Sequence, residues 1–119
     1  MKWLINRFRY AFSGVRYGLF HDRSIRFQFV LALLALAAGL SFQISVSEWL
    51  WVLLCITLVI MAEIFNSCIE KTVDYISLNR DPRAGRIKDM AASAVLLVSG
   101  FALICALIIF VPRLISLFK

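Results

Sequence analysis

Three long apolar stretches divide this sequence and predict its main elements. Residues 27–46, 49–65 and 91–111 contain few polar side chains and, apart from Glu63, no charged one. A hydrocarbon core about 30 Å thick needs roughly 20 helical residues, so each stretch is typical of a transmembrane helix. The polar residues that follow the second stretch keep helical spacing with no Gly or Pro, so that helix should continue beyond the bilayer. We therefore predict helices over residues 27–46, 49–76 and 86–111.

The segment before the first apolar stretch has a different pattern. Within residues 2–20, large apolar side chains recur at helical spacing, and basic residues occupy other positions around the helix. This pattern predicts an amphipathic helix lying on a membrane surface. The apolar positions are Leu4, Phe8, Phe12, Val15 and Leu19. The predicted fold class is therefore an all-α integral membrane protein, with residues 1–119 forming a single domain.

Turn-forming residues set the expected helix ends. Ser47, directly before Glu48, is a candidate N-cap for the second span. Pro82 and Gly85 mark residues 77–85 as a hydrophilic loop. Pro112 is expected to end or kink the last helix.

The charge distribution predicts how the chain is oriented. The net charge is +6, and six of the thirteen basic residues precede the first span while five lie between the second and third. By the positive-inside rule, we expect the N-terminus and the second loop to be cytoplasmic and the C-terminus to be outside. The basic residues are thus accounted for by membrane topology and contact with lipid headgroups, and they do not require binding to nucleic acid. Cys55, Cys68 and Cys105 lack metal-ligand spacing and are expected to be small apolar residues.

A row of polar residues leaves the inner end of the second span. Glu63, Asn66, Glu70 and Asp74 follow offsets of three, seven and eleven residues, which bring them to one side of a helix. Glu63 lies about 22 Å along the helix axis from Glu48, inside the inner boundary of the hydrocarbon core. Acidic groups at such a depth cost free energy and are typical of functional sites.

These residue types are sufficient for phosphoryl transfer, which needs a base, carboxylates for Mg²⁺ and cations for phosphate. Glu63 could accept a lipid hydroxyl proton, and Asn66 could orient that carboxylate or a phosphate oxygen. The candidates for the remaining roles are Glu70 and Asp22 for Mg²⁺, Lys88 for phosphate and Asp89 for a nucleotide group. A small cation-coupled transporter or a noncatalytic assembly subunit would also be compatible with carboxylates on a membrane helix. Here the carboxylates lie together at one membrane interface and the sequence has no internal repeat, which favours a kinase over a transporter.

The same segment resembles the prokaryotic diacylglycerol kinase family, which includes the undecaprenol kinases. Residues 63–74 fit the pattern E-x-x-N-[ST]-x-I-E-x-x-x-D, and a Lys-Asp pair follows at positions 88 and 89. The resemblance extends over nearly the whole chain. It implies a homotrimer of three-span subunits that uses MgATP at composite sites between subunits.

The resemblance also implies roles for individual residues. Glu63 matches the catalytic base, with Asn66 as its polar neighbour. The implied nucleotide and metal positions are Tyr10, Glu70, Lys88 and Asp89 for the nucleotide side, with Glu70 and Asp22 for Mg²⁺. Asp22 stands where the family usually has Glu, and the segment 79–81 departs from the usual Tyr-His-containing stretch.

The resemblance also bears on which lipid accepts the phosphoryl group. Residues 8–11, Gly14, Arg26 and the segment 45–49 look more like the undecaprenol kinase branch. The diacylglycerol branch shares the catalytic segment, so diacylglycerol is the alternative acceptor.

Overall fold

The computed structural model describes residues 1–77 and 81–119, and these residues form helices joined by short connections. The helices are α1 (Lys2–His21), α2 (Arg23–Phe42), α3 (Val46–Ile76) and α4 (Pro82–Leu117). No strand occurs within this described part of the chain, and α2, α3 and α4 are long and apolar enough to cross a membrane. The predicted fold class, with one N-terminal helix and three spans, is thus confirmed.

A sharp corner at Asp22 separates α1 from α2. Asp22 has an extended backbone (φ −125°, ψ 115°), and its Oδ1 accepts the amide hydrogens of Ser24 (2.9 Å) and Ile25 (3.2 Å). An aspartate in this position satisfies backbone donors that the first helical turn would otherwise leave unpaired. Because the cap is Asp22, α2 begins at Arg23 rather than at residue 27.

The turn between α2 and α3 also lies earlier than the sequence indicated. α2 ends at Phe42, because Gln43 adopts the left-handed conformation (φ 51°) that commonly terminates helices. Within α2, Gly39 allows Trp49 to pack closely, since a Cβ atom there would lie 2.6 Å from the indole. The predicted end at residue 46 was therefore wrong.

Ser45, not Ser47, is the N-cap of α3. Its hydroxyl oxygen accepts the Glu48 amide hydrogen (3.2 Å), and the Glu48 carboxylate accepts the Ser45 amide hydrogen (3.0 Å). These reciprocal bonds form a capping box. The helix consequently begins at Val46 and not at residue 49.

α4 is longer at both ends than predicted. Asp81 caps it and Pro82 occupies its first turn, where a missing amide hydrogen costs nothing. Gly85 therefore lies within the helix, while residues 78–80 of the expected loop, including Asn79 and Arg80, lie outside the described residues. At the other end the helix continues through Pro112 to Leu117.

The helices pack mainly around α3, and most of their apolar surface faces outward. A small core joins Ile44, Val52 and Ile109, and Arg113 on α4 donates two hydrogen bonds to Glu48 on α3 (2.5 and 2.7 Å). Leu96 and Leu97 are nevertheless about three-quarters exposed. Exposed apolar surface on this scale is what a lipid environment covers.

Candidate active site

The polar residues of α3 form two rows of contacts near the basic end of the bundle, the end that holds Asp22, Ile76 and Pro82. The corner row, Glu63, Ser67 and Lys71, contacts α2 and the corner at Asp22. The distal row is Asn66, Glu70 and Asp74, in which Asn66 contacts Glu70 and Asp74 contacts α4. Members of each row are four residues apart and so lie one above another on the helix.

Glu63 is buried, whereas Glu70 and Asp74 of the same helix are exposed. Its side chain is only 7% exposed, and its Oε1 accepts a hydrogen bond from Gln28 Nε2 at 3.4 Å. Asp22 and Glu70 both lie within electrostatic range of it. The structure therefore brings these three predicted site carboxylates into one region.

Both carboxylate oxygens of Asp22 already have partners within the chain, which is unusual for a residue that only ligates a metal ion. Oδ1 accepts two backbone amides, while Oδ2 accepts the Ser67 hydroxyl and lies 3.7 Å from Lys71 Nζ. Three hydrogen bonds and one nearby ammonium group thus occupy or face the roughly four lone-pair sites that a carboxylate offers. Burial acts to raise the pKa of Asp22, but the bonds from Ser67, Ile25 and Ser24, with the Lys71 charge, outweigh it and hold the pKa below its usual value.

The distal row differs from the predicted arrangement around Asn66. The Asn66 amide donates to Glu70 Oε1 at 3.2 Å, so within this chain it orients Glu70 and not Glu63. Asn66 Oδ1 is buried, and no partner for it is found among residues 1–77 and 81–119. A buried acceptor without a donor is costly, which suits a position where a substrate hydroxyl or water binds.

Three further predicted residues lie at different places in the chain. Lys88 forms an ion pair with Asp74, which joins the cytoplasm-directed ends of α3 and α4 in the predicted topology. Asp89 is exposed beside it. Tyr10 is 71% exposed on α1, and the helical rise places it about 18 Å from Asp22. A single chain thus brings Lys88 near the distal row but leaves Tyr10 apart.

The donor set can be tested for its fit to Mg²⁺. In the described parts of the chain, no group of three or more His, Cys, Asp or Glu residues is arranged to hold a metal ion. Mg²⁺ is commonly held by one or two carboxylates together with substrate phosphates and water. Glu70 is exposed and fits this role, whereas Asp22 could ligate directly only if Lys71 moved away.

An apolar groove of about 410 Å³ lies between α2, α3 and α4, and Gln28, the hydrogen-bond partner of Glu63, is among the residues that line it. Gln28 lines its inner end, and Ile109 and Phe110 line the far end. Cys55 and Cys105 also line it, as free thiols among small apolar side chains. The groove therefore extends from Gln28, which contacts the buried carboxylate, along a surface suited to hydrocarbon.

The sequence pattern did not single out Gln28, Ser67 or Lys71. Ser67 and Lys71 follow Glu63 at intervals of four residues, so helical spacing was an available signal for the corner row. Gln28 is a polar residue inside an apolar stretch, which is a weaker signal. Its pairing with Glu63 depends on how α2 lies against α3.

Comparison with known proteins places this chain in a family. Residues 9–110 match the family model described as prokaryotic diacylglycerol kinase. The chain is 32% identical over 114 residues to an undecaprenol kinase of Bacillus subtilis, covering 92% of this chain and 93% of that protein. It is also 29% and 30% identical over 96 residues to the diacylglycerol kinases of two Helicobacter pylori strains, covering 81% of this chain and 75% of each relative. The chain therefore belongs to the prokaryotic diacylglycerol kinase family.

Proposed function

We propose that this protein is an integral-membrane lipid kinase that transfers the γ-phosphoryl group of ATP to the hydroxyl of a membrane lipid. The observation that carries the proposal is a buried carboxylate, Glu63, whose hydrogen-bond partner Gln28 lines the inner end of an apolar groove. The exposed Glu70 lies within electrostatic range of that carboxylate. An amphiphilic acceptor and a water-soluble donor can meet at such a boundary. Family membership supports the same chemistry.

In the proposed reaction, Glu63 accepts the proton of the lipid hydroxyl. The hydroxyl oxygen forms a bond to the γ-phosphorus, the bond from that phosphorus to the β–γ bridging oxygen breaks, and ADP leaves with the electron pair. Asn66 Oδ1, buried without a partner in the described residues, would accept a hydrogen bond from the hydroxyl as the lipid arrives, before that same proton passes to Glu63. Positioning of this kind is the main contribution that proteins make to phosphoryl transfer.

Charged residues around the distal row are proposed to hold the donor. Glu70 would ligate Mg²⁺, with Asp22 joining directly or through water once Lys71 has moved. Bound Mg²⁺ would neutralise charge on the phosphate oxygens. Lys88 would contact phosphate, and Asp89 and Tyr10 would contact the nucleotide. Tyr10 is exposed and lies far from the other proposed site residues of its own chain, which supports a homotrimer in which neighbouring subunits complete each site.

Undecaprenol is the acceptor that we propose, with diacylglycerol as the alternative. The groove is lined largely by apolar and small side chains, including Ala32, Ala35 and Ala102, and so suits a hydrocarbon chain of either lipid. The undecaprenol kinase of Bacillus subtilis matches more of this chain than the Helicobacter pylori diacylglycerol kinases do. The basic end is proposed to face the cytoplasm of a bacterial inner membrane, because ATP is cytoplasmic and basic residues favour that side.

The test is transfer of labelled γ-phosphate from MgATP by purified protein in mixed micelles. Undecaprenol and diacylglycerol are offered in separate reactions, with Glu63→Gln as the inactive counterpart and Thr57→Val as a control in the same helix. We expect phosphorylated undecaprenol in excess over phosphatidic acid, and a loss of at least about 100-fold in the Glu63 variant. Folded protein that phosphorylates neither lipid would contradict the kinase and direct attention to ion flux.

A further inference from the structure

We propose that Gln28 is a positioning residue that holds Glu63 in place for proton transfer. This inference rests on the proposed function, because it assumes that Glu63 is the base. It assigns a role in the reaction to a residue of α2 that lies outside the polar face of α3.

The contact between the two side chains is direct. Gln28 Nε2 donates to Glu63 Oε1 at 3.4 Å, where Gln28 is half-buried and Glu63 is buried. No protein donor to Glu63 Oε2 is found within residues 1–77 and 81–119. Hydrogen bonds to a charged group are stronger than those between neutral groups, particularly away from water. Gln28 therefore fixes one carboxylate oxygen and leaves the other to receive a proton.

A second contact fixes the register that brings Gln28 to Glu63. α2 and α3 run in opposite directions, and Asp22 at the start of α2 accepts the hydroxyl of Ser67 on α3. Along α2, Gln28 lies six residues beyond Asp22, and along α3, Glu63 lies four residues before Ser67. Both steps lead in the same direction into the bundle, by about 9 and 6 Å respectively. The Asp22–Ser67 contact thus anchors one end of a two-contact ladder whose deeper member is Gln28–Glu63.

The location of Gln28 also links the base to the acceptor. Gln28 lines the inner end of the groove, opposite the apolar far end at Phe110. A lipid whose chain lies in the groove would present its hydroxyl close to this amide and to Glu63. The orientation of the carboxylate is therefore set at the point where the acceptor proton must leave.

The test compares Gln28→Leu, which removes the donor, with Gln28→His, which restores an N–H group at similar reach. Thr57→Val is the matched control, because the one hydrogen bond of this hydroxyl among residues 1–77 and 81–119 goes to the Leu53 carbonyl of its own helix. In the lipid kinase assay we expect Gln28→Leu to lower kcat by about 10- to 100-fold with little change in the KM for MgATP. Gln28→His should recover part of kcat, and Thr57→Val should keep wild-type activity.

Reaction of Glu63 with a membrane-permeant carbodiimide gives a readout that needs no activity. Peptide mass spectrometry should show faster labelling of Glu63 in Gln28→Leu than in the wild type or Thr57→Val, because the amide no longer occupies Oε1. Unchanged kcat and labelling in Gln28→Leu would overturn the inference, as would equal loss of kcat and thermal stability in both Gln28 variants. A wild-type protein that transfers no phosphate would instead contradict the proposed function, and the labelling would still report whether Gln28 shields Glu63.

Discussion

At the scale of single residues, Asp22 shows how one short side chain combines two structural tasks. It caps α2 through two backbone amides and joins the corner to α3 through Ser67 and Lys71. A glutamate would carry its carboxylate one methylene further from the backbone, beyond the usual reach of an N-cap. The aspartate at this position therefore favours a fixed corner, which in turn sets the register of Gln28 against Glu63.

The hydrogen bonds and the ion pair of Asp22 should make the stability of the protein depend on pH. Because the folded-state pKa lies below the ordinary value of 3.8, the folded protein binds fewer protons than the unfolded chain in that range. The contribution of Asp22 is therefore present above about pH 4 and is lost as the pH falls through the folded-state pKa. Asp22→Asn keeps an N-cap but not the charge, so the thermal unfolding midpoints of variant and wild type should differ near pH 7, and the difference should shrink as the pH falls from about 4 towards 3. A difference that stays constant across this range would contradict the prediction.

At the scale of helices, the sequence predicted the elements well and their ends less well. α3 was expected to reach residue 76 because its polar end keeps helical spacing, and the structure agrees. The start of α3 was predicted too late because Ser47, directly before an acidic residue, was assigned as the N-cap in place of Ser45. The start of α4 was predicted too late because Pro82 was assigned to a loop. Both positions had local signals for helix starts, namely S-x-x-E and proline in a first turn.

The contacts between helices could not be read from spacing in the same way. Helical periodicity places Glu63 and Ser67 on one side of α3, but it does not determine which residues of α2 they meet. Gln28 and Asp22 reach them only because the turn at Gln43 and the corner at Asp22 fix where α2 lies. The resemblance likewise predicted roles for individual residues, but it did not show that Asn66 donates a hydrogen bond to Glu70.

The two serines before Glu48 allow a direct test of how α3 begins. Ser45→Ala removes the N-cap oxygen and should lower the free energy of unfolding by about 1 kcal/mol. Ser47, the second residue of the helix, takes no part in the cap hydrogen bonds, so Ser47→Ala should change the free energy of unfolding by less than about 0.5 kcal/mol. Unfolding in mixed detergent micelles, followed by circular dichroism, compares the two. A larger loss in Ser47→Ala would show that the helix begins later than in the structure.

At the scale of the whole molecule, one chain leaves its proposed site incomplete. Glu63, Asn66, Glu70 and Lys88 gather around the basic end of α3 and α4, but Tyr10 points to a separate part of the surface. The exposed apolar faces of the helices offer area for association as well as for lipid. Symmetric assembly would allow Tyr10 of one subunit to reach the site of another.

Mixed assemblies of two variants can decide whether the sites are shared. Glu63→Gln should abolish transfer, and Tyr10→Ala should raise the KM for MgATP, so assays at low MgATP find little activity in either variant alone. If Tyr10 completes a neighbour's site, unfolding and co-refolding the variants at equal amounts should restore about a quarter of wild-type activity, since one site in four then has both residues intact. Mixing Glu63→Gln with wild type is the control and should give about half. If each site uses its own chain's Tyr10, the variant mixture gains nothing over its separate components, because no subunit then carries both residues intact.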